Sequence, residues 1–83
     1  MYVYILKSDK VEKFYVGISQ NPELRLKYHN SVEKGFTSRY RPWQIVWTKK
    51  YKSKSEAINV EKRIKSWKSS KMIKLVVNGD YDL

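Results

Sequence analysis

The apolar positions of this chain change period along its length, and the changes mark its elements. Tyr2–Leu6 is a short apolar and aromatic run, and Lys13–Ile18 is a second, with Phe14-Tyr15-Val16-Gly17-Ile18 at its heart. Both read as strands, and Ser8-Asp9-Lys10 between them reads as a turn, so the two make a hairpin. Pairing residues whose numbers sum to 19 closes a short loop at Ser8–Val11 and sets Tyr4 directly opposite Tyr15 on one face. Asn21-Pro22-Glu23 then opens a helix over Pro22–Asn30: an N-cap side chain, a proline with the right fixed φ, and an acid facing the helix dipole. At about 100° per residue, Leu24 and Tyr28 form one apolar arc and Leu26 another. Arg25 and His29, one turn apart, fall between the arcs and face the protein body.

A loop follows, Ser31–Trp43, holding Gly35 and Pro42, and a third strand, Gln44–Tyr51, rich in Ile, Val and Trp. Ser53-Lys54-Ser55-Glu56 matches the capping-box pattern and opens a helix over Ser55–Trp67. Ala57, Val60, Ile64 and Trp67 lie on one stripe of it, and Glu61 sits at the stripe's edge, between it and Ile58. A carboxylate there is costly unless paired or bound to a cation. A plain Glu61–Lys65 surface pair would satisfy it, as would a metal ion. A final helix from Ser69 or Ser70 to about Val76 precedes a tail, Asn78–Leu83, expected to fray.

Composition then narrows the picture. Eighty-three residues make one domain, with a core expected over about 1–76 and a short tail over 77–83. Cysteine is absent, so the three Trp, seven Tyr and the aliphatics must supply the stability. No apolar run approaches the roughly 20 residues of a membrane span. Lys7 interrupts the first apolar run too early for a signal peptide, which makes the cytoplasm the default expectation and a membrane partner an unexpected one.

The net charge of +10 points to a polyanion, and nucleic acid is the expected partner. In Phe36-Thr37-Ser38-Arg39-Tyr40-Arg41, arginines interleave with aromatics. Arg39 and Arg41 there suit phosphate contact beside base stacking, although Phe36 and Tyr40 could equally cap the core of an ordinary connection. Lys62 and Lys65 belong to a lysine-rich second half whose last two helices carry only Glu56 and Glu61 as acids.

Chemistry is scarce. There is no Gly-rich phosphate loop, no serine triad and no HExxH site, and a single histidine rules out a multi-histidine metal centre. Two tyrosines, an arginine, a histidine and a lone glutamate remain. For phosphodiester hydrolysis that is a workable minimum. One carboxylate with water and substrate oxygens can hold a hard divalent cation. An arginine can offset developing charge, and a tyrosine or histidine can activate water.

Val3-Tyr4, then Tyr15-Val16-Gly17, then Arg25, His29 and a later helical Glu61, resemble the GIY-YIG nuclease family. The resemblance is strongest to its small stand-alone members, which are related to the N-terminal nuclease domain of the bacterial excision-repair endonuclease and to homing endonucleases. It runs from about Met1 to Val76, with Tyr2-Val3-Tyr4 in the place of GIY and Tyr15-Val16-Gly17 in that of YIG. Tyr2 stands where the first motif often has glycine, and Ile18 where repair-type members carry lysine. The resemblance implies an α+β fold, a small three-stranded antiparallel sheet flanked by helices, and a divalent-metal-dependent endonuclease. It implies Glu61 on Mg2+ or Mn2+, Arg25 on the scissile phosphate, and Tyr4, Tyr15 or His29 on the water. DNA ranks ahead of RNA as substrate, DNA repair is one setting, and a protein partner could supply specificity. The alternative is a module of the same fold that binds nucleic acid without cutting it, or cuts only with a partner.

Overall fold

Four consecutive residues of the first strand, Val3, Tyr4, Ile5 and Leu6, are fully buried. Successive side chains of a strand point to opposite faces, so burial of all four requires a covered sheet on both sides. The computed structural model, which describes residues 1–31 and 35–83, shows that arrangement. Strands β1 (Tyr2–Ser8), β2 (Phe14–Ser19) and β3 (Trp43–Lys50) form one antiparallel sheet in the order β2-β1-β3. Helices α1 (Pro22–Ser31), α2 (Phe36–Arg39), α3 (Lys54–Ser66) and α4 (Ser70–Val77) complete an α+β fold. No helix among the described residues is long and apolar enough to cross a membrane.

The two sides of β1 feed two separate cores. Val3 and Ile5 join Val16, Ala57, Ile64 and Val76, with the half-buried Trp47, Val60 and Trp67 against them. Tyr4 and Leu6 join Trp43 on the other face, with Tyr15, Leu26, Tyr40 and Ile45. The helix starts follow local chemistry. Ser53 Oγ accepts the Glu56 N–H at 3.1 Å, Ser69 Oγ accepts the Met72 N–H at 3.4 Å, and Asn21 Oδ1 accepts the Leu24 N–H at 3.2 Å. The expected element boundaries hold to within one or two residues, except that the loop after α1 contains the short helix α2. Residues 32–34 of that loop, and the side chain of Phe36, weighed between base stacking and capping the core, lie outside the described residues.

Three expectations need correction. The hairpin register is two residues away from the one expected: Tyr4 lies opposite Gly17 and Tyr15 opposite Leu6. A two-residue shift keeps every side chain on its face, so Tyr4 and Tyr15 remain diagonal neighbours, with ring centroids 6.4 Å apart. The longer loop is organised by Ser8, whose Oγ accepts the Lys10 and Val11 N–H groups while its own N–H donates to the Lys13 carbonyl at 3.0 Å.

The second correction concerns α1. Leu24 is 62% exposed and Tyr28 45% exposed, so that arc faces outward. The helix buries its Pro22 and His29 side instead, with Leu26 half-buried against Leu6 and Trp43. Third, the tail is tied down. Tyr81 packs edge-on to Trp67 at 5.3 Å, Leu83 rests on the core, and Lys49 Nζ donates to the Leu83 carbonyl.

Candidate active site

β2 is an edge strand, and the site lies along it, where α1 packs on one face and α3 on the other. Tyr4 from β1, Tyr15 from β2 and His29 from α1 form one aromatic cluster. His29 stands 4.7 Å from Tyr15 and 6.1 Å from Tyr4, between ring centroids. Tyr4 and His29 are fully buried and Tyr15 is partly exposed. Gly17 makes room for the cluster: a Cβ there would stand 2.6 Å from the Tyr4 hydroxyl.

A buried polar group needs a partner, and His29 has one at each ring nitrogen. Nε2 is 3.0 Å from the Tyr4 hydroxyl, and Nδ1 is 3.2 Å from the Thr37 hydroxyl. Thr37, on α2, is itself buried. The surrounding frame is built from bonds between side chains and backbone. Trp43 Nε1–H donates to the Thr37 carbonyl at 2.7 Å, and Arg41 Nε–H donates to the His29 carbonyl at 2.7 Å. Asn30 clamps Trp43 twice, accepting its N–H at 2.6 Å and donating to its carbonyl at 3.0 Å. The last turn of α1, α2 and the start of β3 are thus one hydrogen-bonded unit around His29.

Glu61 reaches the site from α3 through Lys65. Lys65 Nζ is 3.2 Å from Glu61 Oε2 and 5.9 Å from the Tyr15 ring centroid. The surface pair weighed from the sequence therefore exists, and it stands beside the tyrosine cluster. The Glu61 side chain is only 19% exposed. Among the described residues, no three carboxylate, histidine or cysteine side chains converge. Glu61 is the one carboxylate beside the cluster, and one carboxylate can hold a hard ion only with water and substrate oxygens filling the other positions.

Arg25 lies one turn before His29 on α1, half-buried, with its guanidinium 5.2 Å from the Tyr28 ring centroid. Arg41 holds α1 by its carbonyl, a role the sequence did not suggest. Arg39 and Lys62 are exposed on α2 and α3. Lys13 adds a cation at the same edge, its Nζ 5.8 Å from the Tyr40 ring centroid. Thr37 and Asn30 were missed: the partners that give them a role, His29 for one and the Trp43 backbone for the other, are brought to them by the tertiary fold.

A family model described as the GIY-YIG catalytic domain matches residues 1–74, which takes in this whole cluster. The chain belongs to the GIY-YIG family. Similar proteins include a UPF0213 protein of Staphylococcus saprophyticus, 34% identical over 79 residues that cover 94% of this chain and 95% of that one. A UPF0213 protein of Oceanobacillus iheyensis is 36% identical, covering 90% and 87%. One from Natronomonas pharaonis is 37% identical, covering 93% and 91%. No solved structure matches. The GIY-YIG domain is a nuclease-type fold, and the match spans β1 and β2, the strands that carry Tyr4 and Tyr15.

Proposed function

We propose that this GIY-YIG domain is a divalent-metal-dependent endonuclease that hydrolyses phosphodiester bonds in nucleic acid, with DNA as the first substrate to test. One observation carries the reading: a buried Tyr4–His29 pair directly behind a partly exposed Tyr15, with the Glu61 carboxylate reached across Lys65. Packing alone does not require a histidine with both nitrogens engaged in the core, beside the edge of the sheet.

In this reading Arg25 binds the scissile phosphate and offsets the charge that develops on it. Tyr15, the ring of the cluster open to solvent, orients the attacking water. The water oxygen forms a bond to phosphorus as the bond to the leaving oxygen breaks. The water proton passes to the Tyr15–Tyr4–His29 cluster, and solvent protonates the leaving oxygen. Glu61 would hold Mg2+ or Mn2+, which when bound supplies positive charge beside the phosphate. Lys65 must then release Glu61, and its ammonium is left facing the substrate's negative charge.

The test is incubation with labelled duplex, flap, branched and single-stranded DNA and RNA, in Mg2+ or Mn2+ and in EDTA. Cleavage should require the ion. Glu61→Gln should lower it by orders of magnitude and leave binding intact. Arg25→Ala should lower both, which separates the metal role from the phosphate role. A Glu61→Gln protein that cuts at the wild-type rate would leave the binding module without catalysis as the better description.

A further inference from the structure

We infer that Thr37 is a positioning residue of this site: its hydroxyl accepts the His29 Nδ1–H, so that Nε2 faces Tyr4 as a hydrogen-bond acceptor. The inference rests on the nuclease reading above only for its consequence in cleavage; the geometry stands apart from it.

A neutral imidazole carries one N–H, and the partner of one nitrogen fixes the state of the other. Here the two partners are unequal. Tyr4 offers a phenol, with an ordinary pKa near 10, and Thr37 offers an aliphatic alcohol, which is far less acidic. The phenol is the stronger donor, so the favoured arrangement sends the Tyr4 O–H to Nε2 at 3.0 Å and the Nδ1–H to Thr37 Oγ1 at 3.2 Å. The reverse arrangement would spend Nε2–H on the phenol oxygen and require the alcohol to donate to Nδ1.

Thr37 is held for this task from its other side. Its carbonyl accepts the Trp43 indole N–H at 2.7 Å, and Trp43 is locked to Asn30 on the same helix as His29. Thr37 and His29 are both buried, so water does not substitute freely for either bond. With Nε2 held as the acceptor, the Tyr4 proton is drawn toward the imidazole, and the Tyr4 oxygen becomes a better acceptor for a second hydrogen bond.

The chain has a single histidine, which makes the experiment direct. A 15N–1H correlation spectrum of His29 in the full chain should show the Nδ1–H tautomer. Thr37→Val should remove that fixed tautomer. It should also lower kcat by roughly ten- to a hundredfold, a part of the ~10²–10⁴-fold typical of general acid–base catalysis, while KM stays within about twofold. Thr37→Ser keeps the hydroxyl and should restore both. If Thr37→Val does not fold, Thr37→Ala is read in its place. A wild-type Nε2–H tautomer, or a hydroxyl-free variant with wild-type spectrum and kcat, overturns the inference. A wild-type protein that cuts none of the substrates sinks the nuclease reading instead, and the tautomer spectrum still decides the role of Thr37.

Discussion

A methyl group added at Gly17 would meet the Tyr4 hydroxyl at 2.6 Å and its Cζ at 2.7 Å, well inside contact distance. The Tyr4 ring is fully buried and hydrogen-bonded to His29, so it cannot swing aside without breaking that bond. Gly17→Ala should cost about 1–3 kcal/mol, the usual range for an overfilled core, and should abolish any cleavage in protein that remains folded. Denaturant unfolding and an activity assay on the same sample check both halves. Tyr51 poses the opposite problem. Its hydroxyl is buried without a hydrogen-bond partner among the described residues, and burial pushes its pKa above the usual value while Arg63 pulls the other way. Tyr51→Phe removes an unsatisfied group and should leave stability unchanged or higher.

The sign with pH follows from the same burial. The folded state disfavours the phenolate, so stability is complete below the ordinary pKa of 10.0 and falls as pH rises through it, because the unfolded chain ionises first. The Phe variant should show a flatter decline in urea midpoint between about pH 9 and 11. At this scale the sequence was legible wherever residue type dictates chemistry. Tyr4, Tyr15 and His29 do meet, and Glu61 stands beside them through Lys65. Thr37 was not legible, because its role exists only once α2 has folded back onto α1.

Between elements, the joint that matters is the one from α1 to β3. Asn30 satisfies both backbone groups of Trp43, whose ring is buried in the Tyr4–Leu6 core. Asn30→Ala strands a buried N–H and a carbonyl and should cost about 1–3 kcal/mol, measured by tryptophan fluorescence in urea. The elements themselves were readable because β-branched runs, serine caps and Pro22 act locally. The register was not, because a two-residue shift leaves the pattern of faces unchanged. What selects it is the match of the Tyr4 ring to bare backbone at Gly17. The outward turn of Leu24 was hidden for a related reason. Periodicity defines the arcs of a helix but not which of them docks, and on α1 the His29 hydrogen bonds outrank leucine burial.

For the whole molecule, charge decides the partner. A net +10 on so small a body predicts binding that weakens linearly in log–log terms with salt, by about −0.9 per phosphate neutralised on duplex DNA. Lys62→Ala should make that slope shallower by a similar step and weaken all sequences alike, as read from a salt titration of affinity. A flat response would mean that the lysines serve only to keep the chain dissolved. Beneath the charge lies the strand β1, shared by both cores. Neither helical layer can peel away without wetting one side of Val3–Leu6, so neither has a free energy of its own to lose. The chain is therefore expected to unfold in one cooperative transition, with fluorescence and circular dichroism midpoints that coincide in urea. A form that kept its sheet and lost its site would have to wet Tyr4 and Leu6, so selection for a stable fold and selection for an assembled cluster meet at Tyr4, the one residue that belongs to both.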